Sequence, residues 1–210
     1  MRVPIARDGL LYAGVIFTLA VLAAGACWWI ISLLFVLAGI SVLLFFRFPD
    51  RTVIADAGTI YAPADGRIIQ IREEYEGEYC RDVRKKVSIF MSIFNVHINY
   101  APLEGVVECI KYTPGKFHPA FSVASETGNE NNFIGINGQG IKVGVRQIAG
   151  WIARRIVCNC QKGDKVSAGG RIGLIKFGSR VDIFVPVDYR LWVDKGQRVV
   201  AGRTIIGKKQ

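Results

Sequence analysis

Two patterns of apolar and polar positions divide this chain. From Gly9 to Phe46 there are 38 consecutive residues without an Asp, Glu, Lys or Arg. As one helix, rising 1.5 Å per residue, such a run would extend about 57 Å, against a hydrocarbon core of about 30 Å. The run therefore predicts two helices, Leu10–Ala26 and Trp28–Phe46, turning near Gly25-Ala26-Cys27, with a single strongly tilted helix as the alternative. After Phe48-Pro49 the pattern changes to short β-branched runs separated by Gly, Asp and Asn. Strands are predicted over Thr59–Ala62, Arg67–Ile71, Val87–Phe90, Gly105–Lys111, Ile141–Val145, Arg154–Val157, Ile172–Phe177, Val181–Val185, Leu191–Val193 and Thr204–Ile206. Short strands at such regular spacing argue for an all-β barrel or sandwich. Helices are expected only in short pieces, around Gln147–Ala153 and just before Val96.

An internal repeat refines the β part. Lys162-Gly163-Asp164-Lys165-Val166-Ser167-Ala168-Gly169 returns later as Lys195-Gly196-Gln197-Arg198-Val199-Val200-Ala201-Gly202. The pattern reads as a glycine turn, an inward valine and a second turn feeding a strand. It resembles the turns of biotinyl/lipoyl-type barrel-sandwich domains, and Pro63-Ala64-Asp65-Gly66 is a third turn of similar character. The fold class expected is thus mainly β, a duplicated barrel-sandwich domain over residues 47–210, behind an N-terminal hydrophobic helical hairpin anchor over residues 1–46.

Charge places the anchor. The chain holds 27 Lys+Arg against 17 Asp+Glu, a formal +10, while 51% of residues are hydrophobic and mean hydropathy is +0.30. That excludes a disordered chain, and 23 glycines without a strict triplet exclude collagen. Arg2 and Arg7 precede the apolar run, and Arg47 and Arg51 follow it. A hairpin puts all four on one side, the cytoplasmic side by the positive-inside rule. A secretory signal fits poorly. Leu22-Ala23-Ala24-Gly25-Ala26-Cys27 is only weakly like a lipoprotein cleavage box, and the apolar run continues past Cys27 as far as Phe46.

Without residues 1–46 the remainder still carries +9, since only Arg2, Arg7 and Asp8 are lost. Its basic runs, Arg84-Lys85-Lys86, Arg154-Arg155 and Lys208-Lys209, read either as solvated faces or as attraction for an anionic leaflet. The latter contributes about 1 kcal/mol per basic residue near the surface. No aromatic-interleaved RNA motif accompanies them, so a nucleic-acid partner is not expected. The five cysteines, 27, 80, 109, 158 and 160, are odd in number and irregularly spaced, as suits reduced cytosolic thiols. Cys158-x-Cys160 has no second ligand pair nearby, and no metal is expected.

Reactive chemistry concentrates at Gly178-Ser179, the only Gly-Ser in the chain. It lies between two predicted strands without the Asn-Gly or Asp-Gly of a tight hairpin. Glycine leaves its carbonyl unshielded, so a following serine Oγ can attack it, given a base to take the proton. The histidines are His97 and His118. Asp65, His97 and Ser179 can form a triad, with His97 as base and Asp65 holding its tautomer. Taken singly, Asp65 reads as a turn aspartate, His97 as a hydrogen-bonded structural residue and His118 as part of a loop.

Five segments in order resemble one family. Ala62-Pro63-Ala64-Asp65-Gly66, Asn95-Val96-His97-Ile98-Asn99, Pro114-Gly115-Lys116-Phe117, Ser125-Glu126 with Asn129 to Asn132, and Phe177-Gly178-Ser179-Arg180 are similar to phosphatidylserine decarboxylase, most of all its short bacterial and archaeal branch. The resemblance implies a proenzyme cut between Gly178 and Ser179 into a β chain, 1–178, and a short α chain, 179–210. Ser179 would become a pyruvoyl cofactor that forms a Schiff base with the serine headgroup amine and accepts the electrons released as carbon dioxide leaves. Asp65 and His97 match the processing acid and base, and His97 is the candidate proton donor to the carbanion. Asn95, Lys116 and Asn132 are candidate headgroup contacts.

Longer members carry Leu-Gly-Ser-Thr at the cut and a second histidine where this chain has Phe94. The partners implied are an anionic phospholipid, the cell membrane at its cytoplasmic face, and the two chains of one proenzyme, alone or in a higher oligomer. Archaetidylserine shares the reacting headgroup. From other classes, a membrane-tethered barrel-sandwich binding module would need a modifiable hairpin lysine that is missing, and a serine hydrolase would need a Gly-x-Ser-x-Gly elbow.

Overall fold

An apolar helix pair and a set of short alternating strands need different surroundings and different partners, and the chain separates them. The computed structural model describes residues 5, 7–47, 49, 51, 53, 56, 58–118, 128–150, 156–175 and 179–209. It divides into two units, Met1–Asp50 and Arg51–Gln210.

In the first unit, α1 (Arg7–Gly25) and α2 (Trp29–Phe45) form a hairpin. The turn is the one expected near Cys27, which takes the left-handed conformation at φ 61°. The Cys27 and Trp28 amides close it, donating to Ala24 and Ala23 carbonyls at 2.9 Å each. Small residues let the helices approach: a Cβ on Gly39 would stand 2.5 Å from the Phe17 ring. The Ser32 hydroxyl donates to the Ala20 carbonyl across the pair at 2.9 Å. Leu11, Val21, Leu22, Ile30 and Leu34 on the outside remain exposed. Among the described residues no helix is long and apolar enough to cross a membrane: α1 opens on Arg7-Asp8 and α2 has 17 residues.

The second unit is mainly β. Its strands are β1 (Thr59–Tyr61), β2 (Gly66–Glu76), β3 (Asp82–Met91), β4 (Ile98–Tyr100), β5 (Gly105–Thr113), β6 (Asn131–Gly138) and β7 (Ile141–Ala149). They continue with β8 (Ile156–Cys158), β9 (Lys165–Val166), β10 (Arg171–Ile175), β11 (Ser179–Pro186), β12 (Tyr189–Leu191), β13 (Arg198–Val199) and β14 (Ile205–Lys209). An eight-stranded sheet runs β13-β2-β3-β11-β7-β6-β5-β9, and two three-stranded sheets run β1-β14-β12 and β4-β10-β8. Val181, Ile183 and Val185 alternate along β11 onto the core face, where they meet Val87, Ile89, Val143 and Val145. Full burial of each such side chain contributes about 1.5–3 kcal/mol.

The sheet orders reveal two copies of one seven-stranded arrangement. β4 to β10 form one copy, inserted into the other between β3 and β11, and corresponding strands take corresponding places. The expected repeat supplies β9 and β13 at opposite edges of the large sheet. Gly163 N–H donates to Val107 O at 2.8 Å, and Gly196 N–H to Ile68 O at 2.7 Å. A further repeat emerges with the strands: Tyr61-Ala62-Pro63-Ala64-Asp65-Gly66 returns as Tyr100-Ala101-Pro102-Leu103-Glu104-Gly105. Tyr61 N–H donates to Pro102 O and Tyr100 N–H to Pro63 O, both at 2.8 Å. Each copy carries a bulge at the same place, between Ile68 and Gln70 and between Val107 and Cys109. Gly66 and Gly105 are obligatory, since a Cβ would lie 2.2 Å from the Phe90 carbonyl oxygen and 2.3 Å from that of Asn137.

Three sequence expectations change. Gln147 to Ala149 close strand β7 instead of opening a helix, and residues 151–155 lie outside the described residues. The segment before Val96 is a turn, because Asn95 Oδ1 accepts the Ser92 amide at 2.9 Å and its hydroxyl at 2.7 Å. The run Arg84-Lys85-Lys86 is not a solvated face: Arg84 pairs with Asp82, buried Lys86 with Glu74, and Lys85 Nζ donates to the Val187 and Tyr189 carbonyls. Burial of cations demands such partners. Of the other runs, Lys208 pairs with Asp56, and Arg154-Arg155 lies outside the described residues.

Candidate active site

Ser179 is the first residue of β11, and the strand pairing places it between Met91 on β3 and Ala149 on β7. It is fully buried, and its hydroxyl donates to the Met91 thioether at 3.3 Å. A thioether is a weak acceptor, so the oxygen is oriented without being strongly held. β10 and β11 belong to different sheets and do not pair with each other. Gly178, with Lys176 and Phe177, lies outside the described residues.

His97 stands between the Ser92–Asn95 turn and β4, and is fully buried. Its Nδ1 is 2.9 Å from the Asn95 carbonyl oxygen. A carbonyl only accepts, so Nδ1 carries the proton and a neutral ring keeps its lone pair on Nε2. The Ile175 amide donates to the His97 carbonyl at 3.1 Å, which brings the end of β10 beside this residue.

Asp65 ends the turn before β2. Its Oδ1 accepts the Ala201 amide at 2.7 Å, and its Oδ2 meets Arg51 Nη2 at 2.8 Å. The repeat thus feeds the site, because Ala201 belongs to the Lys195–Gly202 copy. Tyr100 ends β4 in the same neighbourhood. Burial pushes its hydroxyl up to about 12, with Asp65 adding to that and Arg51 opposing it. Backbone bonds therefore tie the Asp65 turn to β4, β4 to β10, and β3 to the head of β11.

Behind Ser179 runs a chain of buried amides that the sequence does not announce. Asn132 Nδ2 donates to Gln147 Oε1 at 2.9 Å, and Gln147 Nε2 to Asn99 Oδ1 at 2.8 Å. Asn99 Nδ2 then reaches the same Met91 sulfur at 3.7 Å. Of the candidate contacts, Asn132 is thus a buried link in this chain, and the Asn95 side chain closes its turn. Lys116 is exposed, bridged through its backbone to Asn129. Asn129 binds the Ala149 and His118 carbonyls at 2.7 Å each, which secures the strand beside Ser179. The available signal for Gln147 and Asn132 was an amide within an apolar, alternating stretch.

At the far end of the chain lie Cys158 and Cys160, with sulfurs 3.6 Å apart. A hydrogen bond from Cys160 pulls the Cys158 thiol below the usual range against the effect of burial, and the Asn132 amide adds to the pull. Cys160 is pushed up in turn by the same bond and by burial.

The family model described as phosphatidylserine decarboxylase matches residues 39–207. The chain belongs to the phosphatidylserine decarboxylase family. It is 42% identical over 208 residues to a phosphatidylserine decarboxylase proenzyme of Desulfotalea psychrophila, covering 99% of this chain and 97% of the relative. The corresponding proenzyme of Carboxydothermus hydrogenoformans is 43% identical over 203 residues, 96% of this chain and 95% of its own. That of Chlorobium phaeobacteroides is 47% identical over 165 residues, 79% of this chain and 77% of its own. The phosphatidylserine decarboxylase match contains Asp65, His97 and Ser179, and it begins inside α2.

Proposed function

We propose that the chain is a pyruvoyl-dependent decarboxylase that converts phosphatidylserine to phosphatidylethanolamine after cutting itself between Gly178 and Ser179. The observation that carries this reading is the family match, with a buried serine at the head of β11 inside it. The residues fit the group expected at position 179. Full burial keeps water from a reactive ketone, and the weak Met91 acceptor leaves the serine oxygen available for attack.

In maturation, His97 Nε2 takes the Ser179 hydroxyl proton as Oγ adds to the Gly178 carbonyl carbon. The Gly178–Ser179 C–N bond breaks, giving an ester and a free amine that receives a proton. Loss of the Ser179 α-proton then breaks the Cβ–O bond and frees the Gly178 carboxylate. The resulting enamine tautomerises, and water replaces its nitrogen, releasing ammonia and leaving the ketone. Asp65 offsets the positive charge that grows on His97, while the Asn95 carbonyl holds the ring's tautomer. When formed, the pyruvoyl group supplies an electron-withdrawing ketone for decarboxylation of the headgroup. His97 donates the proton that completes the product, and Lys116 offers a cation to the anionic headgroup. Archaetidylserine, with the same headgroup, is the alternative substrate.

The exposed aliphatic surface of α1 and α2 supports attachment to the cell membrane, with the flanking arginines on the cytoplasmic side. The duplicated strand arrangement supports a barrel-sandwich reading of the β unit. The test is the intact mass of the purified protein with a decarboxylation assay on diacyl and ether lipids. Two fragments meeting at 178/179, and activity lost to hydroxylamine or borohydride, are expected. Ser179→Ala should remain one chain and release no carbon dioxide. An active protein that stays whole with Ser179 unmodified would overturn the reading.

A further inference from the structure

We propose that Cys158 and Cys160 form a reversible dithiol–disulfide pair whose state is transmitted to position 179 through the side chains of Asn132, Gln147, Asn99 and Met91. The inference rests on the reading of Ser179 as the reactive centre, but the thiol chemistry can be measured apart from it.

The pair is built for closure. Both cysteines stand on one side of an extended segment, with sulfurs 3.6 Å apart, so bond formation requires an approach of about 1.5 Å. β8 is held on β10 through Cys158 opposite Gly173, and the Asn159 amide donates to the Ile172 carbonyl at 2.9 Å. Cys158 is partly exposed and is the more acidic thiol, whereas Cys160 is buried, its sulfur 3.7 Å from the Ile172 carbonyl oxygen. Those are the properties of an attacking and a resolving thiol respectively. Among the described residues no group of three or more His, Cys, Asp or Glu gathers to hold a metal, so the pair is read as a dithiol.

The co-reactant is a low-molecular-mass disulfide. The Cys158 thiolate attacks one of its sulfurs, the S–S bond breaks, and one small thiolate leaves. Cys160 then gives up its proton and attacks the Cys158 sulfur, expelling the second small thiolate. Two protein thiols are oxidised by two electrons and one small disulfide is reduced to two thiols. Closure ties up the Cys158 sulfur on which the Asn132 amide pulls, and that same amide holds Gln147, which holds Asn99 beside the Met91 sulfur that receives Ser179. A small closed ring of this kind is readily reduced, which suits a reversible device.

The test uses the whole purified protein, equilibrated in reduced and oxidised glutathione, acid-quenched and alkylated. Peptide mapping should find both cysteines joined within one peptide, lighter by about 2 Da than the dithiol form. Decarboxylation should fall about fivefold on oxidation, the factor carried by one lost hydrogen bond, and return with dithiothreitol. Cys158→Ser, which has no attacking thiol, should show the same rate in oxidised and reduced buffer. Unresolved glutathione adducts, pairing with a different cysteine, or closure with no change in rate would each overturn the proposal. Failure of self-cleavage in fully reduced protein would instead count against the enzymatic reading, and the peptide map would still decide the thiol chemistry.

Discussion

The β6–β7 hairpin closes through Gln139 and Gly140, both at positive φ, whereas its counterpart, β3 with β11, is open between Met91 and Ser179. The register makes them equivalent. Gly138 faces Ile141 at the closed end, and Met91 faces Ser179 at the open one. Into that opening the chain inserts its entire second copy, leaving at Met91 and returning at Ser179. A closed two-residue turn satisfies its own geometry and has no spare backbone. An opened one brings two distant chain segments to one buried point. Ser179 thus stands where the symmetry of the two copies is broken.

Other equivalent positions diverge in the same way. Asp65 is held by Arg51 and the Ala201 amide, while its counterpart Glu104 is exposed. Asn99 lies in the amide chain, while its counterpart Ile60 lies in the core. The backbone arrangement is shared by the two copies, and these side-chain contacts are specific to one of them.

Substitutions at matched positions put this contrast to the test. The largest effect is expected from Asp65→Asn, which, under the proposed role of Asp65 in offsetting charge on His97, should slow self-cleavage on the order of 10²-fold or more. Glu104→Gln, at the equivalent exposed site, should stay within about twofold. Denaturing gels over a time course read both. Equal slowing by the two would erase the distinction.

A smaller contrast separates Asn99→Leu from Ile60→Val. The first leaves the Gln147 amide unpaired in the interior and should cost about 1–3 kcal/mol in urea denaturation while also slowing cleavage. The second should cost about 1 kcal/mol with cleavage unchanged. If both variants process alike, the amide chain has no bearing on Ser179.

The smallest effect should be symmetric. Gly163 and Gly196 have φ of 95° and 89° with open space about them, so Ala at either meets backbone strain and no clash. Each should destabilise by about 1 kcal/mol, the two agreeing within about 0.5 kcal/mol. A large difference would show that the copies are not equivalent scaffolds.

Much of this was legible in order along the chain. The uncharged run shows as a helix hairpin because its turn is local, and nine of the strands follow from β-branched runs, while the run Leu191–Val193 only touches the end of β12. β6 escapes that reading. Asn131-Asn132 and its glycines lower its β-character, yet Gly135 is needed because a Cβ there would stand 2.6 Å from the Tyr79 ring. Gln147 was misread as helical for a similar reason, since its preference is overruled by pairing with β6 and β11.

By itself the sequence determined the two-part division, the Gly-Ser pair, the ordered motifs and the repeated glycine turns, all of which are written in neighbouring residues. Only the tertiary structure decided that the second copy sits inside the first, that Met91 and not a charged group receives the Ser179 hydroxyl, and that Asn132, Gln147 and Asn99 form a buried amide chain leading to that sulfur. Those relations depend on strand register between segments far apart in the chain. Register is fixed by which faces are buried together, a property of the whole sheet and of no single segment.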